Sequence, residues 1–109
     1  MGLDIRIASQ QPTICPHCGE VVSYQTVEVV DSSGSRWYAY LESIGYYVPY
    51  EKRTEANDWY SKDMALTTEQ AEELVRYASR HGLYGYASIK NLVCDALNYG
   101  NRIVINADL

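Results

Sequence analysis

The sequence predicts an α+β fold, in which a small, mainly antiparallel sheet carries a zinc-knuckle-like Cys-X-X-Cys hairpin, a short helix and a C-terminal helical hairpin. The first observation behind this prediction is the motif Cys15-Pro16-His17-Cys18, which stands between two segments with strand-like patterns. The second is a pair of capped, amphipathic helical patterns in the last third of the chain. The 109 residues show no composition break, so we expect a single domain over residues 1–109.

The segments on either side of the motif have the composition of strands. Over residues 3–8, apolar and more polar side chains alternate, which predicts a short half-buried strand. Residues 9–13 are polar and include Pro12, so we expect a turn there. Residues 21–30 are β-branched and aromatic, and their apolar phase shifts near Val27, which predicts a strand with a bulge.

A short helix is predicted after the loop 31–35. Four apolar side chains recur there at the spacing of one helical face, and Gly45 is placed to end the helix. Ser35 is the expected N-terminal cap. The four residues of the face are Trp37, Tyr40, Leu41 and Ile44.

The C-terminal helical hairpin has the clearest local signals. Thr67 and Gln70 match a capping box, and Gly82 follows the last periodic residue, with Leu83 expected to fold back on the helix. Ser88 is the expected cap of a second helix that stops near Gly100. The apolar face of this second helix comprises Ile89, Leu92, Val93, Ala96 and Leu97. A final short strand is predicted over residues 103–105.

The motif Cys15-Pro16-His17-Cys18-Gly19 has the spacing of a metal knuckle. Two thiolates separated by two residues bind one ion from a tight turn, in which Pro16 fixes φ and Gly19 permits a left-handed backbone. A redox role is disfavoured, because the chain continues into a strand and no helix N-terminus lowers the pKa of the first thiol. Zinc is therefore the predicted cofactor.

Zinc needs four ligands, and this chain has one Cys-X-X-Cys motif. We predict Cys15, Cys18, Cys94 and His81 as the metal ligands, provided that the helical hairpin packs over the knuckle. Two other interpretations stay open: a knuckle held by hydrogen bonds alone, with Cys94 a small buried hydrophobe and His81 a helix cap, or a homodimer whose two chains share one zinc through four thiolates.

Aromatic residues are concentrated in the middle of the chain. The sequence has eleven Tyr, two Trp and no Phe, and eight of these aromatics lie between Trp37 and Tyr60. From about residue 46 onward, this segment belongs to a long loop predicted over about 46–64. Such side chains suit a half-buried core or an interface, and both interpretations stay open. As partner-binding residues we predict Trp37, Tyr46, Tyr47, Tyr50, Trp59 and Tyr60.

The charge balance narrows the classes of partner. Nine basic against fourteen acidic residues give a net charge of −5, so direct nucleic-acid binding is not expected. The sequence shows no signal-peptide pattern and no stretch of transmembrane length, which predicts a cytoplasmic protein that does not bind membranes. Three cysteines without a dense framework argue against disulfide stapling.

The start Met1-Gly2-Leu3-Asp4-Ile5, followed by Cys15-Pro16-His17-Cys18-Gly19-Glu20, resembles a group of small uncharacterised proteins encoded by phages and prophages. The segment Trp37–Tyr46 is similar in placement to a short helix of that group. The resemblance covers about the first half of the chain and carries over no catalytic residue. It implies a mobile-element accessory protein in the cytoplasm of a bacterial host.

Two functional hypotheses follow from these observations. The first is a non-enzymatic protein-binding module that engages a host or phage protein, with inhibition of a host defence or nucleic-acid enzyme as one form of it. The alternative is a metal-dependent or small-ligand-binding enzyme domain, or a purely structural accessory protein. No catalytic residues are predicted, because the sequence contains no nucleophile–base signature or phosphate-binding glycine loop.

Overall fold

The computed structural model describes residues 3–55, 59 and 62–108. Within these residues lie four strands, three α-helices and one short 3₁₀ helix. In chain order they are β1 (Asp4–Ile14), β2 (Val21–Ser33), α1 (Trp37–Ser43), the 3₁₀ helix (Tyr50–Lys52), β3 (Met64–Leu66), α2 (Thr68–His81), α3 (Tyr86–Tyr99) and β4 (Arg102–Asp108).

The four strands form one antiparallel sheet in the order β2-β1-β4-β3. β1 and β4 are central, while β2 and β3 each have one edge that no other strand of the described residues pairs with. The helices come between strands in the sequence and the C-terminal helical pair precedes the last strand. The predicted α+β class with an antiparallel sheet is therefore confirmed.

The core lies between one face of this sheet and the helices. Alternate residues of β1 and β4, such as Ile5, Ile7 and Ile105, point into it and are almost fully buried. The helices contribute Trp37, Leu41, Leu74, Ile89 and Leu92, all of them at or near zero exposure. The opposite sheet face has no helix packed on it among the described residues and carries mainly polar side chains.

The ends of α2 are as the sequence predicts. The Thr67 side chain accepts from the backbone N–H of Gln70 at 3.1 Å, and the Gln70 side chain accepts from the backbone N–H of Thr67 at 2.9 Å. Gly82 ends the helix in the left-handed conformation, and the buried Leu83 folds back, donating its N–H to the carbonyl of Ala78. The capping box and the C-terminal glycine are therefore confirmed.

Two predicted helix caps are wrong. α1 has Arg36 rather than Ser35 at its N-cap, and α3 begins at Tyr86, so that Ser88 lies inside its first turn. The N-cap of α3 is Gly85, where φ is +80° and an added Cβ would lie 3.3 Å from the carbonyl oxygen of Asp31, so backbone conformation and space both favour glycine. α3 thus starts without a side-chain cap.

β1 is longer than the sequence indicates. The predicted turn over residues 9–13 is wrong, because the strand continues to Ile14 and Pro12 pairs with Tyr24 of β2. β4 pairs with β1 only as far as Gln10. Beyond that point no described strand pairs with this edge of β1, so Pro12, which has no N–H, breaks no hydrogen bond of the sheet there. The predicted bulge is confirmed, since Ser9 pairs with Glu28 and Gln10 with Thr26, leaving Val27 as the extra residue.

Residues 11–25 therefore form a two-stranded projection, here called the arm. It begins where the ladder to β4 stops and ends at the Cys-X-X-Cys turn. Cys15 lies five positions after Gln10, which at strand spacing places the turn about 16 Å beyond the end of that ladder. The radius of gyration of 14.5 Å exceeds the roughly 13 Å expected for a compact chain of this length, which agrees with a projecting arm.

Candidate functional site

The turn at the tip of the arm is closed by two backbone hydrogen bonds. The N–H of Cys15 donates to the carbonyl of Glu20 at 2.8 Å, and the N–H of Gly19 donates to the carbonyl of Cys15 at 2.9 Å. Gly19 has φ +74°, and no atom lies within 4 Å of the position of its missing Cβ. A glycine is favoured there by its backbone conformation alone, since space is free.

The same turn directs hydrogen-bond donors at the sulfur of Cys15. The backbone N–H of Cys18, the backbone N–H of His17 and the side chain of Cys18 all lower the pKa of the Cys15 thiol, and the small effect of burial opposes them. These donors stabilise a thiolate, which is the form that binds metal. The tip of the arm therefore holds two neighbouring thiols in a closed turn, and the turn favours the thiolate form of Cys15.

The other two predicted ligands do not lie beside these two thiols. Cys94 is exposed on α3, and His81 ends α2, where its ring lies 4.3 Å from the ring of Tyr77. Among residues 3–55, 59 and 62–108, no group of three or more His, Cys, Asp or Glu side chains is arranged to hold a metal ion. The prediction of one intrachain site built from Cys15, Cys18, Cys94 and His81 is corrected accordingly, because the arm projects past the part of the sheet that the helices cover.

Two of the predicted partner-binding aromatics belong to the core. Trp37 is 0% exposed, and its Nε1 donates to the Ser32 hydroxyl at 2.9 Å. Tyr46 is 1% exposed and packs with the same cluster. Side chains that bury their whole surface cannot touch a partner, so the assignment of Trp37 and Tyr46 to an interface is corrected to core packing.

Tyr46 also extends the edge of the sheet. β3 pairs with β4 only opposite residues 103–105, and beyond it the Tyr46 hydroxyl accepts from the N–H of Ala107 at 2.8 Å. The hydroxyl lies 2.9 Å from the carbonyl oxygen of Lys62, to which it donates. Desolvation raises the pKa of Tyr46 above its usual value, against the effect of these hydrogen bonds. One phenol thus ties the segment after α1 to the last strand.

The remaining aromatic predictions keep part of their surface. Tyr47 is half-buried and meets the ring of Tyr38 edge-on at 5.0 Å, while the half-buried Trp59 lies 6.5 Å from the ring of Tyr46. The side chain of Tyr50 and the whole of Tyr60 lie outside the described residues. Partner binding by Tyr47, Tyr50, Trp59 and Tyr60 stays a prediction.

Sequence reasoning missed a row of exposed apolar side chains. It runs along β2, whose outer edge pairs with no other strand among the described residues, and is here called the β2 strip. Val27 is 57% exposed and Val29 is 44% exposed. The signal is in the sequence: residues 21–30 hold more apolar side chains than one buried face can accommodate. The members of the strip are Val21, Val22, Tyr24, Val27 and Val29.

Side chains from three strands brace the base of the arm. The guanidinium of Arg102 lies 3.5 Å over the ring of Tyr24, and its Nε donates to the Gln10 side chain at 2.7 Å. Gln10 in turn reaches the hydroxyl of Thr26 at 3.4 Å. These contacts join β4 to the arm at the point where the β4 ladder ends, so we expect the arm to hold its direction relative to the body.

The open face of the sheet carries a shallow cavity of about 760 Å³. Its walls are mainly polar, and four of their five charged side chains are acidic. Asp4 lies directly opposite Asp108 in the register, and Asp63 accepts from the Asn106 side chain at 3.0 Å. Arg6 is engaged by Asp31, with 3.0 Å between Nε and Oδ1. The face therefore presents more negative than positive side chains.

Comparison with known proteins gives no relative on which to build a function. No protein-family model matches the chain, and neither a curated protein nor a solved structure matches it. Among the helices that the structure describes, none combines the length and apolarity needed to cross a bilayer. The arm, the β2 strip and the open sheet face are thus the features from which a function is argued.

Proposed function

We propose that this chain is a small protein-binding module of the phage or prophage accessory type, and that it engages its partner through the β2 strip. The observation that carries the proposal is the exposure of five apolar side chains along an edge strand of thirteen residues. Natural proteins usually blunt such edges with charges, prolines or short strands. Over Val21–Ser33 the strand has only Glu28 and Asp31 as charged residues and no proline.

The chemistry of the strip favours strand addition. A free strand edge presents unpaired N–H and C=O groups, so an extended segment of a partner gains main-chain hydrogen bonds along it. The exposed valines and Tyr24 then supply the apolar contact that gives such an interface its selectivity. This mode needs no catalytic group, in keeping with the non-enzymatic role that we propose.

Charge suggests the kind of partner. The chain carries a net −5, and the open sheet face next to β2 holds Asp4, Asp31, Asp63 and Asp108. Complementary charge speeds association with a basic surface and disfavours acidic partners. A host enzyme with a basic nucleic-acid cleft is one partner of this description, and its inhibition in the bacterial cytoplasm is the anti-defence form of the proposal.

A second candidate function rests on the cavity over the open face. Its volume of about 760 Å³ lies in the range typical of small-ligand sites. Such sites are usually enclosed and lined by apolar side chains with a few polar groups, whereas this one is open and has acidic walls. Protein binding through the β2 strip is therefore favoured over a ligand-binding or enzymatic role.

The test is partner capture with matched variants. The double variant Val27→Lys/Val29→Lys places two charges on the strip without touching the core. The control variant Tyr99→Lys places one charge at an exposed aromatic position outside the strip, at the end of α3. The immobilised wild-type chain and Tyr99→Lys should retain the same protein from a bacterial lysate, and the purified pair should bind at least tenfold more weakly to the double variant. Equal affinity of the purified partner for the double variant and the wild type would refute the assignment of the strip.

A further inference from the structure

The turn at the tip of the arm has a built geometry that partner binding along β2 does not use. Cys15 and Cys18 stand two residues apart in a turn closed by the hydrogen bonds from Cys15 N–H to the Glu20 carbonyl at 2.8 Å and from Gly19 N–H to the Cys15 carbonyl at 2.9 Å. All three cysteines are unpaired. A pair of cysteines held in a tight turn at this spacing matches half of a tetrahedral zinc site.

The chain itself does not complete that site. Tetrahedral zinc takes four ligands, and in the part of the chain that the structure describes no third His, Cys, Asp or Glu joins the two thiols in a group able to hold an ion. The reason is the arm, which carries the turn about 16 Å beyond the last residue pair between β1 and β4. The missing two ligands must come from outside the described part of the chain.

A second copy of the chain offers those ligands with the right chemistry and number. Two arms that meet tip to tip across a twofold axis bring together two identical thiolate pairs, which makes a four-cysteine zinc site. The tip is free to approach such a partner, since residues 16–20 are all exposed. The geometry points to a homodimer in which Cys15 and Cys18 of each copy bind one shared Zn²⁺.

Apolar side chains beneath the turn support this arrangement. Ile14 and Val21 lie opposite each other in the ladder, directly below the two cysteines, and are 49% and 45% exposed. An isolated arm gains nothing from presenting this pair to water. In the dimer the four side chains of two copies surround the metal and exclude water from the thiolates, which strengthens the zinc–sulfur bonds.

Binding requires that four thiols release their protons, after which Zn²⁺ and four thiolates carry a net charge of −2. Glu20, the one carboxylate between Ile14 and Val21 in the sequence, adds to that negative charge. The turn that keeps the two cysteines of each copy together is closed by the backbone hydrogen bonds of Cys15 and Gly19. The arrangement therefore depends on the conformation of the turn as well as on the cysteines.

This inference stands apart from the proposed function. The tip and the β2 strip share Val21 alone, and if two β2 edges paired antiparallel, their arms would point in opposite directions and their tips could not meet. The double variant Val27→Lys/Val29→Lys leaves the turn intact and should dimerise with zinc as the wild type does. Loss of partner binding and loss of the metal-linked dimer are thus separable.

The experiment measures metal content and mass on the same sample. The full chain is purified under a reducing agent, loaded with Zn²⁺, freed of excess metal, and analysed by elemental analysis and light scattering. We expect one zinc per two chains and twice the 12.4 kDa chain mass, with return to monomer when a chelator removes the metal. Titration with Co²⁺ should reach its end point at one metal per two chains, with the visible absorption of a tetrahedral four-thiolate centre.

Matched variants distinguish this site from other sources of dimerisation. Cys18→Ser should abolish both zinc retention and the dimer, whereas Cys94→Ser on α3 should leave both unchanged. One zinc per 12.4 kDa monomer would overturn the inference, as would a reduced, folded monomer that retains no zinc. A dimer that survives Cys18→Ser or the chelator would overturn it equally. The wild-type result with and without chelator decides the matter even if a variant fails to fold.

Discussion

Replacing Tyr46 by Phe tests the conclusion that this side chain holds the fold together and does not bind a partner. The substitution keeps the ring in the core and removes only the hydroxyl, which receives the N–H of Ala107 at 2.8 Å and donates to the carbonyl of Lys62 at 2.9 Å. No water can replace the hydroxyl without opening the core, because the side chain is 1% exposed. The buried N–H of Ala107 is then left without its acceptor.

The magnitude follows from those two hydrogen bonds. An orphaned buried donor costs about 1–3 kcal/mol, and the lost bond to Lys62 adds about 0.5–1.5 kcal/mol. We expect the free energy of unfolding to fall by about 2–3 kcal/mol. For a domain of this size, each kcal/mol of lost stability lowers the melting temperature by about 4 °C, so we expect a decrease of about 10 °C.

The assay is urea unfolding and thermal melting of Tyr46→Phe beside Tyr47→Phe. The neighbouring Tyr47 is half-buried, and its hydroxyl has no hydrogen-bond partner within the described residues, so its loss should change the stability by no more than about 0.5 kcal/mol. Equal stability of Tyr46→Phe and wild type would refute the reasoning. So would a variant of unchanged stability that fails to bind the captured partner, since Tyr46 would then act at an interface.

Three further predictions follow from individual contacts. Thr67→Ala removes the hydroxyl of the capping box and should cost about 1 kcal/mol in urea unfolding, whereas Thr67→Ser should restore most of it. Burial raises the pKa of Tyr40 well above its usual 10, so the stability that this neutral phenol contributes is complete below pH 10 and declines as the pH rises further. Tyr40→Phe should flatten that decline in pH-dependent melting, and an unchanged alkaline slope would contradict the burial argument. Gly19→Ala imposes the left-handed φ of +74° on a residue with a Cβ, so zinc affinity measured by chelator competition should fall at least tenfold. The melting temperature of the metal-free chain should change by only a few degrees. Unchanged zinc affinity would contradict the need for this turn conformation.

Local rules predicted the elements whose signals are complete within a few residues. The capping box of Thr67 and Gln70 and the bulge at Val27 were readable because each depends on neighbours in the sequence. The start of α3 was not, because its N-cap is Gly85, which offers no side-chain cap, and not the hydroxyl expected at Ser88. The limited space for a Cβ beside the carbonyl of Asp31, more than fifty positions away, is a tertiary feature that no nearby residue indicates.

The features of the candidate functional surfaces were likewise predictable only where they depend on neighbouring residues in the sequence. The spacing of Cys15 and Cys18 predicted the turn, and the structure has that turn, closed by two backbone hydrogen bonds. Nothing local indicates that the pairing of β1 with β4 stops at Gln10, so the projection of the arm, and with it the separation of the thiols from the helices, could not be predicted. Tyr and Trp side chains suit core and interface equally, and only the packing shows that Trp37 lies in the core.

Hydrogen exchange of the free chain and of its complex with the captured partner tests the central claim most directly. If the partner adds a strand to the free edge, amides on the outer side of β2 (Val21–Ser33) should exchange at least a hundredfold more slowly in the complex. The segment 46–55, which includes Tyr47, should exchange at the same rate in both samples. Protection confined to the 46–55 segment, with β2 amides unchanged, would contradict the claim and return the interface to the tyrosine-rich segment.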